Sequence, residues 1–338
     1  MSKSLKYSVL FVFLMVLFLL DLYIGSVEVP INEITSGLFT GKIDNHIWDM
    51  ILFKFRLPKA IVAVFAGIGL SIAGLQMQTV FRNPLAGPYV LGISSGAGLG
   101  VAILLLGFAS FIPMAFFSNW LLVFAAWLGA ALVLFLILFI SIRVKDIMTI
   151  LILGIMFGAV SSAIISIMEF FTTEALLKKY VIWTMGSLIN VSESQLFIMF
   201  ISISIGVAIS IFSVKRLNVL LTGEQYAYTL GINVKKARYL IFISTSILAG
   251  TVTAFCGPIG FIGIVVPHIS RMFFNTADHR HLIFVSALIG AIVMLISDII
   301  SQLPGSDSVL PINSVTSLIG IPIIIWIIIK RYKFSSTM

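Results

Sequence analysis

From Asn83 to Ile142 the chain runs for 60 residues without a charged side chain. A soluble domain has about a quarter of its residues charged and cannot leave so long a stretch bare, because nothing in it would face water. At about 1.5 Å per residue it is also too long for one helix across a hydrocarbon layer of about 30 Å, so it must hold two spans. The rest of the chain agrees: of 338 residues 60% are hydrophobic and 10% charged, and the mean hydropathy is +1.16. The expectation is an all-α polytopic membrane protein, with residues 1–338 forming a single transmembrane domain. The lone cysteine, Cys256, excludes an intrachain disulfide and a cysteine metal cluster, which leaves helix packing to hold the fold. A net charge of +8 without basic runs interleaved with aromatics gives no nucleic-acid surface.

Other uncharged segments fix the number of crossings. Residues 60–81, 147–168, 194–214 and 308–329 each read as one span, and 83–142 as two with a turn at 113–119. Residues 7–24 make a first span with Asp21 near its far end. Because no small-residue cleavage site follows Lys3 and Lys6, that span is expected to stay as an anchor. Residues 282–300 make another, with Asp298 near its end. The 32 uncharged residues 239–270 would form a helix of about 48 Å, too long for one crossing, and Gly257-Pro258 interrupts them. Reading them as a full span plus a short, broken return gives ten spans. Ten spans place 15 Lys and Arg inside against 6 outside, whereas nine give 10 against 11, so the positive-inside bias selects ten, with both termini cytoplasmic.

Two polar segments lie between spans. The outer one, 26–56, ends in Arg56-Leu57-Pro58-Lys59, where Pro58 suits a first helical turn; its cations either snorkel or receive an acidic partner. The inner one, 215–238, has a helix-start signal at Thr222-Gly223-Glu224 and a stop at Leu230-Gly231, giving two short helices that either rest on the membrane surface or take force from a cytoplasmic motor. Asp21, Glu169 and Asp298 are candidate proton-relay carboxylates, although they fall near span ends where water can reach them. His268, His279 and His281 surround one inner turn without a metal-like spacing, and His46 sits in the outer loop. No G-x-x-x-x-G-K-[ST] phosphate loop and no H-E-x-x-H is present, so the chain reads as a conduit, not an enzyme.

Several longer strings resemble a known family. RLPK (56–59), GLQMQ (74–78), RNPLAGPYVLGISSGAG (82–98), WTMGSL (183–188), GFIGIVVPHISR (260–271), DHR (278–280) and LPINSVTSLIGIP (310–322) are similar, in order, to motifs of the FecCD-type ABC importer permeases for iron-siderophore, haem and cobalamin uptake. The resemblance implies ten spans in a bacterial inner membrane and a second permease copy, identical or not, with substrate passing along the axis between the two. It also implies two cytoplasmic ATPase subunits, which would hold the ATP and Mg, no cofactor on this chain itself, and an extracytoplasmic binding protein. Thr222, Gly223, Glu224, Ala227, Leu230 and Gly231 would couple to the ATPase, and Arg56 and Lys59 would dock the binding protein; a third outer basic position is Gln302 here.

Beside the resemblance, Pro84, Gly87 and Pro88 must interrupt any helix between spans two and three, with Asn83 placed to cap the broken end. Gln78, Asn83, Pro84, Pro88, Gly257, Pro258 and Pro267 are the candidates for helix breaks and for the pathway. Gly74, Gly92, Gly96, Gly98 and Gly100 offer small faces for close helix packing. The substrate expected first is an iron chelate, with haem or cobalamin as the alternative. The rival class is an ion-coupled secondary transporter using the three carboxylates.

Overall fold

The computed structural model describes residues 2–25, 27–108, 118–144, 146–302 and 309–335. Most of the turn expected at 113–119, and Lys145, one of the 15 Lys and Arg expected inside, lie outside them.

Hydrogen-bonded caps start most of the long helices. Ser2 accepts from Leu5 N–H at the start of α1 (Lys3–Tyr23), and α2 (Ile31–Thr40) follows. Asn45 caps the run α3 (His46–Val80). After α4 (Ile93–Gly107), Ser118 caps α5 (Asn119–Arg143) and Asp146 caps α6 (Ile147–Phe171). The surface helix α7 (Glu174–Thr184) precedes α8 (Glu193–Phe212), which opens with a Ser192/Gln195 capping box. Two short helices, α9 (Val214–Leu220) and α10 (Glu224–Thr229), lead to α11 (Val234–Cys256), capped by Asn233. The chain then forms α12 (Ile262–Phe274), α13 (His279–Ser301) capped by Asp278, and α14 (Ile312–Ser335). Seven of these helices are long and apolar enough to cross a membrane, α4 and α12 are shorter apolar helices, and α14 carries the apolar stretch Ile312–Ile327, so ten apolar segments are present among the described residues.

α3 forms the axis of the bundle and packs against α13, α11, α12 and α8. Two glycine pairs allow the closest of these contacts. A Cβ on Gly67 would overlap the carbonyl of Gly290 in α13, and one on Gly74 would overlap the carbonyl of Gly263 in α12. Gly96 and Gly100 meet α5 in the same manner, whereas the nearest atom to Gly98 is the Tyr180 hydroxyl at 3.6 Å, so tight packing does not explain that glycine. In the middle of the bundle Gln76 donates to Ser210 Oγ (2.8 Å) and Ser244 Oγ (3.1 Å) and accepts from Thr245 Oγ1 (2.8 Å). These fully buried polar groups satisfy one another and join α3, α8 and α11.

Three expectations need correction. The first concerns Pro58, which lies in the first turn of the α-helical stretch Leu57–Val80 as expected but does not begin the rod: helical backbone begins at His46 and passes through Ile51–Arg56 as π-helix before Leu57. The wider π-turn, in which Leu57 N–H bonds to Leu52 O, leads into the proline without breaking the rod. Pro267 likewise lies inside α12 without ending it; the carbonyl it leaves without an i+4 donor is that of Gly263, which lies against Gly74. The third correction is that one broken short helix was expected and two are present, α4 and α12, each following an irregular stretch.

The stretch 239–270 does reverse. Gly257 has φ +74° and Phe261 φ +65°, and separate helices lie on either side. Arg238 at the start of α11 pairs with Glu224, while Arg271 near the end of α12 reaches Gln78 at the last turns of α3, beside the same loop. Lys6 Nζ donates to Phe273 O at 2.5 Å, which brings the start of α1 to this loop end as well.

Candidate functional site

At the loop end, Gly223 (φ +111°) and Gly231 (φ +77°) bracket α10 with backbone that residues bearing a Cβ rarely adopt, and so fix its angle to α9 and α11. Ala227, among the residues expected to couple to a partner, is instead fully buried, while Thr222, Gln225, Tyr226, Tyr228, Thr229 and Leu230 are turned outward. Tyr226 and Tyr228 were not singled out from sequence. The signal was a small residue between two aromatics in a short polar helix, which puts the small one inside and the large ones out.

This knob is locked to the spans. Glu224 pairs with Arg238, which is 5% exposed. In α9, Asn218 donates to Asp278 Oδ1 (2.6 Å), while its Oδ1 accepts from His279 N–H (2.8 Å) and stands 2.8 Å from His279 Nδ1. His279 Nε2 is 2.8 Å from Thr79 Oγ1 at the end of α3. The Asp278 carboxyl is held below the usual carboxylate range by the Arg280 N–H and then by Asn218. A groove of about 480 Å³ separates the knob from the first turn of α6, lined by Gly223, Glu224, Tyr226, Ile147 and Met148.

Beside the loop, a cavity of about 610 Å³ lies between the end of α3, α12 and α14. Two of the pathway candidates, Gln78 and Pro84, line it, with Arg82, His268, Arg271 and Trp326. Gln78 Nε2 donates to Ile264 O (3.0 Å) and its Oε1 accepts from Arg271 Nη1 (2.5 Å), so the amide holds the guanidinium. His268 Nε2 donates to Pro84 O (2.8 Å). Arg82 takes the left-handed conformation (φ +47°) usual for glycine after a helix and donates to Leu221 O (3.3 Å). The sequence held a signal for half of this: His268 and Arg271 are three residues apart and share one face of α12.

The remaining break candidates do not line the cavity. Asn83 caps a turn and not a helix, its Oδ1 accepting from Leu85 N–H (2.9 Å). From there the chain runs along α12, with Pro88 packed on Gly263 and the Tyr89 hydroxyl donating to Ile259 O, next to Gly257-Pro258. The two irregular stretches therefore touch, which their separation in sequence did not show. Gly92 (φ +71°) then opens α4.

At the other end the cations are buried. Arg56 and Lys59 are each 7% exposed, so the exposed charge that docking needs is lacking. The Arg56 guanidinium donates to Leu22 O (2.8 Å), Tyr23 O (3.0 Å) and Val27 O, and Lys59 Nζ is 3.0 Å from Asp298 Oδ2. Gln302 Nε2 donates to Asp21 Oδ1 (2.9 Å) and reaches Asp298 Oδ2 at 3.5 Å. Asp21 and Asp298, expected where water reaches, are 1% and 2% exposed; Glu169 is apart and half-buried. The physical reason is helix packing: α1, α3 and α13 converge at this end, and each carboxylate meets a donor on a neighbouring helix.

Among the described residues no group of His, Cys, Asp or Glu side chains could hold a metal ion, and His268, His279 and His281 face different partners. The string GISSG (92–96) has the G-x-S-x-G spacing of hydrolase nucleophiles. It opens a helix without a preceding strand, and among the described residues Ser94 Oγ has no hydrogen-bond partner, so no base activates it.

The profile of the FecCD transport family matches residues 13–330. The vitamin B12 import system permease protein BtuC of Citrobacter koseri is 34% identical over 84% of this chain and 84% of its own length. The hemin transport system permease protein HmuU of Yersinia pestis is 33% identical over 85% of this chain and 84% of its own. A solved structure assigned to the metal-chelate type of ABC transporter, in an inward-facing conformation, superimposes with a TM-score of 0.84 at 28% identity, covering 97% of this chain and all of that one.

Proposed function

The chain belongs to the FecCD transport family and is an ABC importer permease, and from that premise we propose that it carries an iron chelate, first of all a ferric siderophore, through a bacterial inner membrane. Substrate passes along the axis between two copies. Two separate ATPase subunits, holding the ATP and Mg, seat on the cytoplasmic loop end, and a binding protein delivers from the opposite face. The observation that carries the reading is the knob of Tyr226, Tyr228 and Leu230. It is apolar and exposed, and Glu224, Asn218 and His279 lock its base to the ends of three spans, so force applied to it reaches α3, α11 and α13. A loop parked on lipid needs no such rigid base.

The metal-chelate type of the superimposed structure supports a chelated metal as cargo, while cobalamin and haem remain a second reading because two relatives are named for them. The ion-coupled alternative loses its main support, since Asp21 and Asp298 are sealed among Lys59 and Gln302. The test replaces Tyr226 and Tyr228 together by Asp in the full chain. ATPase co-purification and chelate uptake should fall together, by about a hundredfold if two aromatic anchors are lost, with membrane insertion unchanged. Full uptake by that variant, or accumulation of substrate by the wild-type chain alone on an ion gradient, overturns the reading.

A further inference from the structure

α11 packs against both α5 and α8, but α5 and α8 hardly touch one another, and a lateral groove of about 350 Å³ opens among the three. All three helices are long and apolar enough to span a membrane. Ala131, Ser202 and Ser246, one lining residue from each, lie 12, 9 and 12 residues into them, about 14–18 Å from a helix end. In a hydrocarbon layer of about 30 Å that is the middle, where neither water nor an irregular loop can fill the space. Gly250 of α11 also lines the groove. A Cβ there would meet nothing nearer than Ala130 Cβ and Ile93 Cγ2, both at 3.8 Å, whereas one on Gly67 or Gly74 would overlap backbone. Tight packing therefore does not account for this glycine, and open space beside it does. Trp127 and Leu134 of α5 and Ile205 of α8 form the walls, and among the described residues no charged side chain lines them. Ile205 is 49% exposed, and Leu128, Leu132 and Ile201 on the same helices are exposed as well, so the groove continues the apolar outer surface of the spans.

A void at this depth forfeits the dispersion contacts of its lining, and the material at hand to restore them is the lipid tail. We propose that the groove seats one acyl chain of a bilayer lipid, so that hydrocarbon joins α5 to α8 where their own side chains do not. The seat is independent of the cargo and of the ATPase. Ser246 Oγ is shut off from solvent and has no hydrogen-bond partner among the described residues, which gives the test a second arm: a tail makes no use of that hydroxyl, and a ligand with a polar group would.

The test follows indole fluorescence of the full chain in detergent micelles titrated with phosphatidylcholine whose tails carry bromine, a contact quencher. One protein keeps Trp127 as its lone tryptophan, with Trp48, Trp120, Trp183 and Trp326 replaced by Phe. In the other Trp127 is also replaced by Phe, and Leu128→Trp, at a position 72% exposed, reports on bulk lipid at the same depth. Quenching of Trp127 should reach a plateau at about tenfold less lipid than the Leu128→Trp reporter needs. Gly250→Leu fills the groove from α11, and Ala131→Phe fills it from an exposed position that needs no repacking. Each should raise the lipid required by at least about tenfold, and Ser246→Ala should leave the titration unchanged. Equal titration of the two reporters, or an unchanged titration in both filled variants, overturns the proposal. A loss with Ser246→Ala overturns it in favour of a ligand with a polar group. A change of oligomeric state in the filled variants without a change in lipid titration gives the groove to a second copy instead. The wild-type chain, with all five tryptophans, should also retain one more phospholipid in native mass spectrometry than Gly250→Leu, and equal retention counts against the seat.

Discussion

The Arg56–Lys59 pair at the far end of the bundle and the Arg82–Arg271 pair at the loop end are held differently. At the far end Arg56 and Lys59 are buried, one spent on backbone carbonyls and the other on Asp298, with Gln302 tying in Asp21. At the loop end Arg82 and Arg271 line an open cavity without a carboxylate among the described residues of its wall. Both pairs stand at helix ends in a mostly apolar chain, so residue type does not separate them. The difference lies in the neighbours: a carboxylate on an adjacent helix fastens Lys59, whereas Arg271 is held by the Gln78 amide and Arg82 by the Leu221 carbonyl.

The sharpest way to break this contrast is Lys59→Met. Removing one partner of a buried pair leaves Asp298 uncompensated, and the cost should be about 3–5 kcal/mol, read as a lower denaturation midpoint in detergent. K59M/D298L should recover most of that loss, because replacing both partners with apolar groups is near neutral. If K59M were as stable as wild type, Lys59 would be a surface charge after all and the docking expectation would return. A smaller effect is expected at the same cluster: Gln302→Leu removes the donor to Asp21 and should cost about 1–3 kcal/mol by the same measurement, whereas Gln302→Glu should cost more by adding a third carboxylate.

The smallest effect belongs to the loop end, at a carboxylate that water does reach. Asp278→Ala removes the cap of α13 and should cost about 1 kcal/mol. The Asp278 carboxyl is depressed in the folded chain, so its contribution is fully present above its unfolded value of about 3.9 and is lost as pH falls through the lower folded value. The stability gap between wild type and D278A should therefore stay constant from pH 8 to about pH 5 and close only in stronger acid. A gap that changed near neutrality would mean that a different group is titrating.

Span positions were legible because they depend on runs of uncharged residues, and the reversal at Gly257-Pro258 because glycine and proline state their constraint locally. The short loop helices were legible for the same reason. What sequence did not show is which residues of distant spans meet. Asp21 and Asp298 are 277 positions apart, and nothing in either neighbourhood says that Gln302 will reach both or that a lysine on a third helix will pair with Asp298. Arg56 looked like a surface charge because it closes a polar segment, but the rod beginning at His46 carries it inward. Ala227 misled in the same way, since a small side chain can mean either room for a partner or no room at all.

That rod, α3, carries Lys59 near one end and Gln78 near the other, 19 residues and so about 28 Å apart along an uninterrupted α-helical stretch. A helix of this kind does not stretch, and its glycine contacts with α12 and α13 are backbone against backbone, so it can only tilt or turn as a lever. Its fulcrum lies near Gly67 and Gly74, where the backbones of α13 and α12 grip it most closely. A small swing of the fastened end must then appear as an opposite swing of the arm that holds Gln78, and with it Arg271 at the cavity wall. The wider π-turn at Ile51–Arg56 sits beyond Lys59, outside the lever, where it can flex without softening the stroke.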